Sequence, residues 1–299
     1  MRRGGLGPIV LSSDAAYAMP LAVTLRSIVE SNIADWPLSF HILYSGIDDE
    51  LRSRIESSLP RGSARVSWHH VDVSFWSNHS FTEAPHMSPM SFARIQIADA
   101  LRNHHGRALF LDSDLLVFGS LRDLWNVDLG RNHIAAVEDS GIATWKARGD
   151  PMPENFPSVS GYFNAGVMLI DLDAWREARV AERAMQYLAK QSTPFGDQDA
   201  LNAVIDGRWK SLDRRWNLQI YPMAEPVTKT QAAIVHFVTG TKPWKFRELN
   251  HNSALYDEYR SRTEFARTLD EKGGDFLKAS WARLKRLART AMGVCLPSS

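Results

Sequence analysis

Two carboxylates interrupt one of the most apolar stretches of this chain. Arg107 to Gly119 reads as a hydrophobic strand broken only by Asp112, Ser113 and Asp114. Burying unpaired charge is costly, and the usual remedies are an ion pair or a metal. In extended backbone, residues i and i+2 share a face, so Asp112 and Asp114 can both reach one cation at a strand end. Such a pair suits a divalent ion held against a diphosphate. A Ser-separated acidic pair is also a common turn, and the motif alone leaves both readings open.

Four other places carry polar chemistry inside apolar surroundings. His236 ends the apolar run 233–238 and is followed by Thr239, Gly240, Thr241 and Lys242. A neutral imidazole is a common third ligand beside two carboxylates, and a glycine turn followed by lysine suits a phosphate; a lone core histidine can equally be structural. Ser12, Ser13 and Asp14 end the first apolar run, with Tyr17 three residues on. Ligands bind outside the carboxyl ends of parallel strands, so this turn could hold a nucleobase and ribose, or Asp14 could simply cap a helix. Gly161 and Gly166 bracket Asn164, which could bind a hydroxyl where backbones approach closely, or be a satisfied amide at a bulge. An N-cap role would explain Asp197 but not Gln198 beside it. One shared site accounts for five features that otherwise need five unrelated explanations.

The elements that must position these residues alternate along the chain, which predicts an α/β sheet. Strands are expected at 8–11, 39–44, 66–73, 107–119, 134–137, 161–172 and 233–238. Helices are expected at 17–31, at 48–58 capped by Asp48, at 91–101, at 173–190 capped by Asp173, and at 197–205. The segment 146–158, rich in Pro, Gly and charge, reads as a mobile loop over the site. No repeat or linker precedes about residue 271, so a domain over 1–270 and a tail over 271–299 are expected.

Composition bounds the function. With 299 residues, 44% hydrophobic and 23% charged, the chain has the balance of a soluble globular protein. A net charge of +1 gives no electrostatic case for nucleic acid. The single cysteine, Cys295, cannot form an internal disulfide, and no run approaches the ~18 apolar residues of a membrane span. The apolar run 8–11 is too short for a signal peptide. A cytoplasmic protein is expected.

In order along the chain, the segments Ile9–Tyr17, His86–Arg94, Phe110–Asp114, Ser120–Trp125 with Asp128–Gly130, Phe163–Gly166, Asp197–Asp199 and His236–Trp244 together resemble glycosyltransferase family 8. These are retaining enzymes that include bacterial lipooligosaccharide galactosyltransferases and lipopolysaccharide glucosyltransferases. The resemblance implies a glycosyltransferase-A fold, a single Rossmann-like α/β domain on a mixed central sheet. It implies a UDP-sugar donor, galactose or glucose, and Mn²⁺ or Mg²⁺ held by Asp112, Asp114 and His236. Asp14 and Tyr17 would contact uracil and ribose, with Ser12 and Ser113 among the donor contacts, and Lys242 and Gly240 the diphosphate. Arg94, Asp139, Asn164, Asp197 and Gln198 would surround the transferred sugar, with Gln198, Asp197 and Asp139 nearest the chemistry. Two positions depart from the family pattern. Ala16 stands where Asn is common, and Thr239 where the family's glycine usually falls, Gly240 being one later.

Retention allows a covalent glycosyl-enzyme or front-face attack beside the leaving phosphate. Gln198 is a poor nucleophile, which favours front-face attack. Catalysis need not follow from the fold: a nucleotide-sugar-binding protein, or a phosphohydrolase of nucleotide sugars, would share these residues, and acceptor-stimulated turnover separates them. Beyond residue 276 the chain carries five cations and no acid. Residues 277, 281, 284, 288, 291 and 295 form an apolar helical stripe that includes Trp281. A basic amphipathic helix of this kind reads as a reversible membrane-surface anchor, which fits a lipid-linked glycan acceptor. Nothing here specifies an oligomeric state.

Overall fold

The computed structural model describes residues 5–76, 88–221, 223–245, 250–269 and 271. Its central strands are buried on both faces. Ile9, Leu11, Phe40, Ile42, Leu109 and Leu111 build one core, while Val10, Leu43, Ala108 and Phe110 build the other. Strands packed on both sides read as continuous apolar runs rather than alternating ones.

Among the described residues the strands are β1 (Ile9–Asp14), β2 (Leu38–Ser45), β3 (Ala64–His70), β4 (Arg107–Leu111), β5 (Leu115–Val117), β6 (Ile134–Glu138), β7 (Phe163–Asp171), β8 (Trp209–Ser211), β9 (Leu218–Gln219) and β10 (Ile234–His236). Seven form a sheet of order β3-β2-β1-β4-β7-β6-β8, and three a small sheet of order β5-β10-β9. β1 runs parallel to β2 and β4, whereas β7 is antiparallel to β4 and β6. The predicted mixed α/β sheet is therefore present. After β1 the chain lays β2 and β3 on one side and β4 on the other. The carboxyl ends of β1 and β4 flank the crevice where such sheets bind ligands.

The 107–119 run is not one strand, as the sequence predicts, but two in different sheets. β4 pairs in the large sheet, and the chain turns at Asp112–Asp114 before β5 joins the small one. The carboxylates therefore converge because the chain changes sheet, not because of the pleat. β5 has one strand neighbour, and its open edge is bonded by hydroxyls of the helix Ala18–Ser31. Thr24 Oγ1 accepts from Leu115 N–H at 3.2 Å and donates to Leu115 O at 2.9 Å. Ser27 Oγ accepts from Val117 N–H at 3.0 Å, and Ser31 Oγ donates to Val117 O at 2.6 Å. Buried backbone groups need partners, and here the helix supplies them.

Other boundaries differ for local reasons. The expected helix 173–190 is two, Leu172–Glu177 and Val180–Lys190, separated at Arg179 with φ 50°. Its cap is Asp171; Asp173 instead accepts from Gly106 N–H at 2.8 Å. The expected helix 91–101 is a 3₁₀ helix, Pro89–Gln96, followed by one α-turn, Ile97–Ala100. Residues 146–148 of the expected loop close a helix, Ser140–Arg148, capped by Asp139. Asp197 begins its helix, but the cap position is Gly196, at φ 59°. β8, β9 and the helix Ser253–Arg260 have no counterpart in the sequence reading. Residues 86–87 of the His86–Arg94 segment and the basic tail beyond Glu271 lie outside the described residues. No described helix is long and apolar enough to cross a membrane.

Candidate active site

Asp112, Asp114 and His236 each offer a ligand atom, and these atoms lie within 4.8 Å of one another. His236 ends β10, and its Nε2 is 3.2 Å from Asp114 Oδ1 and 3.7 Å from Asp112 Oδ2. A relay of amides fixes the ring. Asp139 can only accept, so Asn164 turns its Nδ2 to Asp139 Oδ2 at 3.0 Å. That leaves Asn164 Oδ1 to accept from Asn217 Nδ2 at 2.8 Å, and Asn217 Oδ1 then faces His236 Nδ1 at 3.0 Å. A neutral His236 therefore carries its proton on Nδ1 and aims a bare Nε2 lone pair at the carboxylates. Asp114 Oδ1 is buried with no hydrogen-bond donor aimed at it among the described residues. Lone pairs that face each other at this distance call for a cation, and the three residues could hold a metal ion between them.

Gly166 of β7 keeps this space open. A Cβ there would lie 2.7 Å from Asp112 Oδ2 and 2.8 Å from His236 Nδ1. The β6–β7 register shifts between Ala136 and Val137, whose partners are Met168 and Asn164. This bulge of β7 sets Gly166 beneath the cluster.

Protein cations flank the cluster. Arg94 Nη2 lies 3.0 Å from Asp112 Oδ1, and its Nε lies 2.8 Å from Asp197 Oδ2. Lys242 Nζ donates to Asp114 Oδ2 at 2.6 Å and to Phe237 O at 2.5 Å. Burial pushes Asp112 above the usual carboxylate range against the pull of Arg94. Burial would raise Asp114 too, but the Lys242 ammonium outweighs it and holds that carboxyl below the range, with His236 adding to the pull only when protonated. Burial lifts Asp197 to about 6 despite Arg94. It lifts Asp199 to about 7 despite hydrogen bonds from Tyr162 and the Phe195 N–H.

Two cavities meet at the cluster. The larger, 410 Å³, is lined by Arg94, Asp112, Asp114, Asp139, Asn164, Asp197, Gln198, His236 and Lys242, and also by Trp145, Tyr221 and Thr239. The smaller, 120 Å³, is lined by Ser12, Asp14, Tyr17, Ser113 and Ser88, and shares Arg94, Asp112, Asp114 and Lys242. The structure thus brings together every predicted site residue except Gly240, which lines neither cavity and accepts from Lys242 N–H at 3.1 Å. Asp14 does act as a cap, accepting from Tyr17 N–H at 3.1 Å, while its Oδ2 takes the Ser88 hydroxyl at 2.5 Å.

Gln198 is held at both ends. Its Oε1 accepts from Ala165 N–H at 2.9 Å, and its Nε2 donates to Asp139 Oδ2 at 3.2 Å and Tyr162 Oη at 3.3 Å. Tyr162 in turn donates to Asp199 Oδ1 at 2.6 Å. Asn217, Trp145 and Tyr221 escaped the sequence reading, and Tyr162 and Asp199 stood inside its motifs without a role. Asn217 carries only the faint signal of one amide among apolar neighbours.

The sequence model of Glycosyl transferase family 8 matches residues 8–248. The chain belongs to glycosyltransferase family 8. General stress protein A of Bacillus subtilis is 27% identical over 284 residues, covering 89% of this chain and 96% of that protein. Lipopolysaccharide 1,3-galactosyltransferase of Salmonella typhimurium is 26% identical, over 79% of this chain and 72% of that one. The chain spans 61% of the length of glycosyltransferase GlyF of Streptococcus pneumoniae, at 28% identity over 84% of this chain. The solved structure of the galactosyltransferase LgtC, in complex with donor and acceptor sugar analogs, superposes with a TM-score of 0.72 at 25% identity, covering 89% of this chain and 99% of that one. The fold is the glycosyltransferase-A fold of this family, and the chain is a glycosyltransferase. Its departure at Thr239 has a conformational cost. Thr239 stands at φ 71°, a left-handed conformation that a β-branched residue rarely adopts, where the family's usual glycine would be at ease.

Proposed function

We propose that this glycosyltransferase is a retaining, metal-dependent hexosyltransferase that moves galactose or glucose from a UDP-sugar to a glycan acceptor of lipid-linked or lipopolysaccharide type. The observation that carries the reading is the cluster of Asp112, Asp114 and His236 at the meeting of two cavities. The smaller cavity would take uridine at Asp14 and Tyr17, the cluster the diphosphate, and the larger cavity the sugar. A bound Mn²⁺ or Mg²⁺ would supply Lewis acidity for the departing diphosphate. Lys242, released from Asp114, would add a second cation for the charge that develops there, and Ser12, Ser113 and Gly240 would border the donor.

The side chains around the sugar favour front-face attack. Asp139 accepts four hydrogen bonds, from Gly141 N–H, Ile142 N–H, Asn164 and Gln198, which saturates a carboxylate. Asp197 is wholly buried against Arg94, and Gln198 Oε1 is turned to Ala165. None of the three is free to bond the anomeric carbon. Asp139 holds Asn164 and Gln198 toward the sugar, Asn164 orients a sugar hydroxyl, Gln198 stabilises the oxocarbenium-like state, and the leaving phosphate takes the acceptor proton. The basic tail would hold the enzyme at the inner membrane surface, where such acceptors lie. A nucleotide-sugar-binding protein without turnover is the second reading, and the strained Thr239 is its one support.

The test is UDP release from a panel of UDP-sugars, with and without Mn²⁺, in wild type, Asp112→Ala and Asp114→Ala. Release from one donor that needs the metal and is lost in both variants is expected. UDP binding with no release from any donor, acceptor present, would leave the binding-protein reading standing instead.

A further inference from the structure

A third hollow continues the row of cavities on the side away from Asp14 and Tyr17. It has a volume of 490 Å³, and its walls include Gly141, Thr144, Trp145, Arg148, Gln219 and Tyr221. Gly141, Trp145 and Tyr221 also line the cavity around the metal cluster, so the two spaces adjoin. The shared wall depends on Gly141. A Cβ there would lie 2.5 Å from Tyr221 Oη and 3.3 Å from Asp139 Oδ1. Only glycine lets the tyrosine close on the helix start that Asp139 caps. A volume of several hundred cubic ångströms accommodates a small ligand.

The walls specify its chemistry. Trp145 and Tyr221 bring aromatic rings to the walls, and the C–H face of a pyranose packs against such rings. Most polar wall groups are already spent. Gln219 Oε1 accepts from the N–H and hydroxyl of Ser140, and its Nε2 donates to Glu138 O. Thr144 donates to Ser140 O. Arg148 is the one charged side chain on the walls, and it is exposed with no acidic partner among the described residues. A guanidinium binds phosphate or carboxylate in a two-pronged fashion. A cation in a last helical turn also favours the helix dipole. Lys146 stands in that same turn, yet only Arg148 lines the hollow.

We propose that this hollow is an acceptor subsite for an anionic saccharide, its ring on Trp145 and Tyr221 and its phosphate or carboxylate on Arg148. The inference rests on the glycosyltransferase reading only in taking the neighbouring cavity as the donor site. Arg148 is then a specificity-determining residue that selects glycans already phosphorylated or oxidised to a uronate. The reaction that supplies the acceptor must be a sugar kinase, a phosphotransferase or the transfer of an acidic sugar.

The experiment is a calorimetric titration of the full chain saturated with UDP and Mn²⁺, so that the phosphate-binding donor site is filled. The probes are glucose 6-phosphate, glucuronate and methyl glucoside. At least one anion is expected to bind about tenfold or more tightly than methyl glucoside, and the stronger of the two names the anionic group. Arg148→Gln should bring the anions to the neutral level, and Trp145→Ala should weaken all three probes. The proposal is overturned if no probe binds, if the anions have no advantage, or if Arg148→Gln leaves them unchanged. A lower Tm for Arg148→Gln with unaltered titrations would assign that arginine to the helix dipole alone. A chain that fails to bind UDP with Mn²⁺ in the first titration refutes the proposed UDP-sugar donor; one that binds it without anion preference refutes only the subsite.

Discussion

Asn217 governs how His236 presents itself to a metal. It accepts from Nδ1 because its own amide nitrogen is committed to Asn164, and the order of that relay traces back to Asp139, which cannot donate. Partners behind a metal ligand commonly contribute 10–100-fold in affinity. Asn217→Leu should therefore lower Mn²⁺ affinity by about that factor while the fold persists, as read by Mn²⁺ electron paramagnetic resonance titration. Unchanged affinity would remove Asn217 from the account. Thr239 presents the opposite case, a residue at odds with its backbone at φ 71°. Thr239→Gly should stabilise the chain by about 1 kcal/mol through relieved strain, measured by urea unfolding; a loss of stability would mean the threonine is held there by contacts worth more than the strain.

At the scale of elements, the site is a junction. β4 delivers Asp112 from the large sheet, β10 delivers His236 from the small one, and the turn between β4 and β5 carries Asp114 across. The bulged β7 runs beneath, and Gly166 is the point where backbone must stay bare. Gly166→Ala should destabilise the fold by about 1–3 kcal/mol, because the new methyl meets Asp112 and His236. Metal binding should fall more steeply than stability, since the ligands themselves must move. If Mn²⁺ titration and thermal unfolding both match wild type, the bulge has more room than these distances allow.

For the whole molecule, pH reports on a feature remote from the cluster. His41 Nδ1 lies 3.0 Å from His69 Nε2 across β2 and β3, and the His104 ring stands 4.9 Å away. Burial first, then His104 and His69, depress His41 to about 4. The unfolded side chain titrates near 6.5, so the unfolded chain takes up a proton the folded one refuses as pH falls from 6.5 to 4. Stability from His41 is thus complete above that window and lost through it. The raised acids Asp197 and Asp199 act with the opposite sign, binding protons in the fold before the unfolded chain does. The comparison that isolates the histidines is Tm against pH for wild type and His41→Leu. Wild type should lose more Tm than the variant between pH 6.5 and 4, and parallel profiles would count against the cluster.

Much of this was legible in the order of residues. Apolar runs alternating with helical spacing specify an α/β sheet, since burial on both faces leaves a signature along the chain. Asp112, Asp114 and His236 stand out because charge and imidazole inside apolar runs demand a partner. Short segments lost their identity: β8, β9 and the helix Ser253–Arg260 span only three, two and eight residues, and the split of the 172–190 helix turns on the backbone of Arg179. What only the tertiary structure decided is direction and neighbourhood. The change of sheet at Asp112–Asp114, the amide relay through Asn217, the bare floor at Gly166 and the hollow beside Arg148 join residues from distant stretches. A sequence states which side chains need partners, but hydrogen-bond direction and cavity shape arise only where separate strands meet.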